Sequence, residues 1–204
     1  LIGIVIGLYL LAQSGPLLFW IGLGGVLVVI AYTAGPFPLA YNGLGEVAVF
    51  IFMGPMMVLG AWYVMAREFS VLPLWVGVPI GFTVAAILHA NNIRDMDADR
   101  AVNKRTLALI LGLRAARIEY QVLMLGAYVL VVLMALARVM PPTVLIAFVT
   151  LPETLRLIRI VNTSQDPQQL HEAQGRTAKL HGTFGYWLIA GWAAWLIAAR
   201  LLSG

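Results

Sequence analysis

Apolar residues run through this chain in long stretches, separated by short polar or Gly/Pro-rich segments and without the period of two that a half-buried strand shows. An α-helix rising 1.5 Å per residue needs about 20 apolar residues to cross a bilayer core, and the stretches have that scale. Seven spans are predicted, at residues 1–12, 17–33, 47–66, 74–90, 113–137, 144–160 and 177–199. The first is too short to cross and lacks the basic flank of a signal peptide, so it is read as the end of a span whose start lies upstream of Leu1. Gly3 and Gly7, and then Gly22, Gly24 and Gly25, suit close helix packing in lipid. Gly54-Pro55 inside the third span predicts a kink, because proline removes one ladder bond. Between the spans, 33–46 (TAGPFPLAYNGLGE) is a helix-breaking loop and 161–176 (VNTSQDPQQLHEAQGR) is the most polar segment, read as a second loop.

Composition agrees with the pattern: 61% of the residues are hydrophobic and 11% charged, which describes an all-α polytopic membrane protein, here one domain over 1–204. The absence of cysteine excludes disulfides and thiolate metal sites. No nucleic-acid partner is expected; the bilayer is the main one. The net charge of +4 matters through its placement. With alternating spans, Arg94, Arg100, Lys104, Arg105, Arg114, Arg117, Arg156, Arg159, Arg176 and Lys179 fall on one side, and Arg67, Arg138 and Arg200 on the other. The excess of bases marks the first side as cytoplasmic in a cell (inner) membrane, and brings three loops to one face.

One stretch on that face concentrates the charge. Residues 91–106 (NNIRDMDADRAVNKRT) hold Asp95, Asp97 and Asp99 beside Arg94, Arg100, Lys104 and Arg105. An acid at the bilayer centre costs roughly 2.5 to 3.5 kcal/mol, and three cost on the order of 8 to 10, so these residues belong at the membrane edge or in a wet cavity. If the preceding helix continues, Asn91, Asp95 and Asp99 line one stripe at i, i+4 and i+8, and Asp97 faces away. Three oxygen donors in a row suit a hard cation such as magnesium, which keeps several waters and bridges a few carboxylates to phosphate oxygens. Arg94, Lys104 and Arg105 are the diphosphate candidates, arginine with the advantage of a bidentate fork. The plain alternative is a solvated juxtamembrane loop, which does not require this spacing.

These residues resemble a known family. NNIRDMDADRAVNKRTLALILG is similar to the second aspartate-rich motif of the UbiA superfamily of intramembrane aromatic prenyltransferases, in particular its 1,4-dihydroxy-2-naphthoate polyprenyltransferase branch. YTAGPFPLAYNGLGE, the Gly-Pro-interrupted helix and TAKLHGTFG extend the resemblance over most of the chain. The resemblance implies a bundle of nine helices around a central cavity, of which about seven are present, with two acidic motifs on cytoplasmic loops. It further implies Mg2+, a polyprenyl diphosphate donor and an aromatic acid acceptor. Prenylation with decarboxylation would give demethylmenaquinone; another acceptor such as 4-hydroxybenzoate is the alternative within the family. The first acidic motif has no counterpart here, so one half of the metal site is expected in this chain and the other upstream.

Further candidates are Tyr41, which suits either a role in orienting the aromatic substrate or stabilising a cation or a membrane-interface anchor, and Asn92 beside the stripe. Glu46 suits either substrate contact or the first turn of a helix. Lys179 suits either diphosphate or a snorkelling anchor. His89 reads as a packed polar residue, and His171 and His181 have no assigned role. Two rival classes remain: a transporter, whose broken helices and intramembrane acids look alike, and a non-catalytic remnant.

Overall fold

The computed structural model describes residues 2–203 as helices joined by short connections. In chain order these are α1 (Ile2–Ser14), α2 (Pro16–Thr33), α3 (Gly45–Met53), α4 (Pro55–Ala66), α5 (Leu72–Arg94), α6 (Met96–Ala101), α7 (Leu107–Leu111), α8 (Leu113–Leu136), α9 (Leu151–Thr163) and α10 (Pro167–Ser203). The all-α polytopic reading holds. Among the described residues, Pro16–Thr33, Gly45–Ala66, Leu72–Arg94, Leu113–Leu136 and Pro167–Leu202 are long and apolar enough to cross a membrane, and α1 is shorter.

The third span breaks where Gly54-Pro55 predicts. Gly54 takes φ −115° and ψ −103°, and α4 restarts at Pro55, whose missing N–H is not needed in a first turn. The break brings backbones together. A Cβ on Gly54 would lie 2.5 Å from the Gly81 Cα, and one on Gly77 would lie 2.7 Å from the Pro55 Cα, so α5 crosses α3 and α4 with no room for a side chain. On its other flanks α5 packs against α8 and α10. Ala86, Ala90 and Ile93 meet Tyr120 and Met124 of α8 and Ala173 and Leu180 of α10 in a core directly beneath the acidic stretch. The buried hydroxyls of Tyr120 and Tyr128 find partners on other segments: Tyr120 bonds Thr177 at 2.7 Å, and Tyr128 bonds both Thr150 and Thr154 at 2.7 Å. In lipid an unpaired hydroxyl has no water to turn to.

Two expectations are corrected. Residues 144–160 do not form one apolar helix: Pro142–Thr150 is a 3-10 segment, and α9 begins only at Leu151. Pro152 cannot donate to the carbonyl four residues back, and the preceding bond, Leu151 N–H to Phe148 O, is of the tighter i to i−3 kind. α9 is then amphipathic, burying Thr154, Leu157, Ile158 and Val161 while Arg156 stays exposed. The polar segment 161–176 is not a loop. Only 164–166 interrupt the helices, and α10 runs unbroken for 37 residues from Pro167. The Asp166 carboxylate accepts from the Gln168 N–H at 2.9 Å and Pro167 occupies the first helical position, a standard start for a helix. At 1.5 Å per residue α10 is about 55 Å long, well beyond a core of about 30 Å, so its polar first turns stand outside the apolar layer.

Candidate functional site

The ends of α5, α9 and α10 and the Gly/Pro loop meet at one end of the bundle. α5 ends at Arg94 and α6 starts at Met96, with Asp95 between them at φ −93° and ψ 9°, but two i to i−4 bonds span the junction: the Asp95 N–H donates to the Asn91 carbonyl at 3.0 Å, and the Asp99 N–H to the Asp95 carbonyl at 2.8 Å. Asn91, Asp95 and Asp99 are thereby linked in sequence across the break. Asp97 stands apart, 99% exposed and paired at 2.9 Å with Arg100.

Arg94 dominates the stripe. Its Nε and Nη2 donate to the two Asp95 carboxylate oxygens, each at 2.6 Å, and Nη2 also donates to Asn91 Oδ1 at 2.9 Å. The Arg94 guanidinium holds the Asp95 carboxyl below its ordinary range, against the opposing effect of partial burial. Its Nη1 reaches α10, to His171 Nδ1 at 2.8 Å and to Gln174 Oε1. Asp99, 7% exposed, accepts from Lys104 Nζ at 3.0 Å through Oδ1; its Oδ2 is buried without a hydrogen-bond partner.

Lys104 and Arg105 line a cavity of about 450 Å³ with Arg100, Asn103, Leu109 and Ile110. The Gly/Pro loop closes against it, because the Arg105 N–H donates to the Tyr41 carbonyl at 3.3 Å and Asn42 pairs with Arg105 as an isolated bridge. Tyr41 is thus tied in through its backbone, with the residue 42% exposed. Asn103 turns the chain here in the left-handed region, at φ 56°, a conformation asparagine tolerates.

Glu46 and Asn92 join a different cluster. Glu46 lies in the first turn of α3, but its carboxylate is buried: Oε1 accepts from Asn92 Nδ2 at 2.8 Å and sits 3.0 Å from His89 Nδ1. The His89 Nε2–H donates to the Ala116 carbonyl at 2.9 Å, and Glu119 Oε2 lies 3.6 Å away. This polar pin joins α3, α5 and α8 one turn before the stripe. Lys179 lines another cavity, of about 510 Å³, with Thr150, Glu153, Arg176 and Trp187. There Glu153 holds Arg176 at 2.7 Å.

His171 and Gln174 are the residues that sequence reasoning missed. The signal was present: Asp166-Pro167 is a helix start, and Leu170, Ala173, Thr177 and Leu180 recur at helical spacing, which sets His171 and Gln174 on a shared flank. As a cation site the stripe is one-sided. Among the described residues no three His, Cys, Asp or Glu side chains gather about one point. Two carboxylates and an amide nonetheless suit magnesium, which uses few protein oxygens when phosphate oxygens complete its shell, and the free Asp99 Oδ2 is a ready donor.

Comparison with known proteins places this geometry. The chain is 30% identical over 190 residues to a 1,4-dihydroxy-2-naphthoate octaprenyltransferase of Bacillus subtilis, covering 93% of this chain and 61% of that protein. Proteins of the same description from Mycobacterium tuberculosis and Escherichia coli are 35% and 31% identical, over 83% and 77% of this chain and 57% and 52% of theirs. The chain therefore spans between half and two thirds of the length of these relatives. The model of the UbiA prenyltransferase family matches residues 1–178, so with its acidic stretch at the end of α5 and its all-helical membrane bundle, the chain belongs to the UbiA prenyltransferase family.

Proposed function

We propose that this protein transfers a polyprenyl group from a polyprenyl diphosphate to an aromatic acceptor, at the end of the bundle where the acidic stretch lies. The observation that carries the reading is the Asn91, Asp95 and Asp99 stripe, linked by i to i−4 backbone bonds across the α5–α6 junction, beside the Lys104 and Arg105 cavity and at the rim of an apolar bundle. The names of the relatives favour 1,4-dihydroxy-2-naphthoate as acceptor. Loss of its carboxylate as carbon dioxide on prenylation would leave both ring hydroxyls in place, so the product is the quinol, demethylmenaquinol. The excess of bases at this end favours a cytoplasmic orientation.

Asn91, Asp95 and Asp99 would hold Mg2+ against the diphosphate. Magnesium, when bound, supplies electrostatic stabilisation to the departing diphosphate. Lys104 and Arg105 supply fixed positive charge to the same leaving group, where preorganised donors act without reorganisation. As the carbon–oxygen bond breaks, the allylic cation is taken up by the electron-rich ring of the acceptor. The apolar helices keep water from quenching that cation. Tyr41, on the loop whose carbonyl accepts from the Arg105 N–H, would face the acceptor. Glu46 and Asn92 act through position, since both are buried.

The test is release of diphosphate together with formation of prenylated product, measured in the protein as its gene encodes it. Asp95→Ala and Asp99→Ala are each expected to lower the rate by about 100-fold or more, and Asp97→Ala to leave it near the parent value. Full activity in Asp95→Ala would refute the assignment.

A further inference from the structure

The five N–H donors of Arg94 are all engaged: Nε with Asp95, Nη2 with Asp95 and Asn91, Nη1 with His171 and Gln174. A guanidinium with five partners has no donor left for a diphosphate. The same bonds cover the stripe, because both Asp95 oxygens and Asn91 Oδ1, the atoms expected to face a metal, already accept from Arg94. Only Asp99 keeps a carboxylate oxygen without a partner, the buried Oδ2. Both halves of the expected chemistry are thus engaged with one another through a single side chain.

We propose that Arg94 is a built-in counterion of the stripe that sets the order of binding: a divalent cation is held well only when a diphosphate arrives with it, drawing Arg94 away from Asp95. This rests on the reading of the stripe as a metal and diphosphate site. The physical basis is competition between alternative partners. A cation arriving alone must displace a bidentate, charge-assisted fork and leaves Arg94 beside it as an unpaired like charge. A diphosphate changes that balance, because its oxygens accept the same fork. Metal and diphosphate then favour each other reciprocally, as linkage requires.

His171 and Gln174 are positioning residues in this arrangement. They hold Nη1 from α10, so the direction of the guanidinium is set by a helix distant in sequence, and its release loosens the contact between α10 and the end of α5.

The experiment measures Mn2+ binding to the purified protein by the loss of the free-ion electron paramagnetic resonance signal. Mn2+ is added alone, and again with inorganic pyrophosphate under equilibrium dialysis so that protein-bound metal is counted. The parent protein is expected to take up Mn2+ alone weakly, and about tenfold or more tightly with pyrophosphate. Arg94→Gln is expected to bind Mn2+ alone about tenfold more tightly than the parent, with a smaller response to pyrophosphate. Arg94→Lys keeps the charge but cannot span both Asp95 oxygens and Asn91, so it too is expected to gain; it also serves if Arg94→Gln fails to fold. Adding Asp95→Ala to either variant should abolish the gain, which locates the ion.

Parent protein that binds Mn2+ alone as tightly as Arg94→Gln overturns the inference and leaves the stripe as a metal site. A gain in Arg94→Gln with none in Arg94→Lys shows that the charge alone, and not the fork across Asp95 and Asn91, holds off the metal, and overturns the role given to the fork. No uptake by any form, with or without pyrophosphate, overturns the proposed function and this inference together.

Discussion

The last turns of α5 carry two polar clusters built from the same kinds of side chain, and they behave oppositely. On one flank His89 and Asn92 turn inward to Glu46, all three buried and satisfied by one another and by the Ala116 carbonyl. On the other, Asn91 and Asp95 turn to the rim and are held by Arg94, with partial exposure. Partners at the rim are therefore exchangeable, and partners in the interior are not. A rim group that loses its partner meets water or a ligand, whereas an interior group that loses one is left uncompensated in a medium that offers nothing else. The inner cluster holds α3, α5 and α8 together; the rim cluster is the one that the proposed function assigns to the chemistry.

The sharpest way to break this contrast is His89→Ala. It strips Glu46 of its closest charged partner inside the bundle, and should cost about 3 to 5 kcal/mol of stability, read from unfolding of the detergent-purified protein. A loss no larger than that of a rim substitution would show that the inner cluster is not structural. A finer comparison uses two adjacent asparagines. Asn92→Ala removes a buried donor to Glu46 and should cost about 1 to 3 kcal/mol, while Asn91→Ala, whose partner Arg94 keeps four other bonds, should cost clearly less in the same assay. Equal losses would erase the distinction between the flanks.

Acid separates the flanks by a different route. Asp95 has its pKa lowered from an ordinary value of 3.8, chiefly by its hydrogen bonds to Arg94. Its contribution to stability is therefore fully present above that value and is lost as pH falls through the depressed one. Thermal stability followed downward from pH 5 should show an acid-side loss that shrinks in Asp95→Asn; an unchanged profile in that variant would show that the Arg94 fork does not stabilise the Asp95 carboxylate. The smallest effect is expected at Asp97 and Arg100, whose pair lies almost wholly in solvent. Asp97→Ala should leave both the unfolding midpoint and the rate unaltered within error, and a measurable drop in either would place Asp97 inside the site.

Much of the site was legible from residue spacing. Helical geometry alone separates Asp95 and Asp99 from Asp97, and the backbone bonds through Asn91, Asp95 and Asp99 follow it. The break at Gly54-Pro55 was equally legible, since proline has no N–H to give. Less legible was Glu46, which suited a helix start and does lie in one, yet finds its hydrogen-bond partners 43 and 46 residues away. The helical state of 161–176 was hidden by polarity, because hydropathy reports what meets lipid and not what is helical.

By itself the sequence determined the class of the molecule, the spans that apolar length enforces, and the line of oxygen donors at the end of α5, all of which depend on local spacing and on the cost of placing charge in lipid. The tertiary structure decided which polar groups share partners. It brought His171 and Gln174 across 77 and 80 residues to Arg94, clasped Arg105 with the carbonyl of Tyr41, and enclosed Glu46 with His89 and Asn92. Hydrogen bonds reach only about 3 Å, so such partnerships exist only once distant helices have packed, and no periodicity along the chain encodes them.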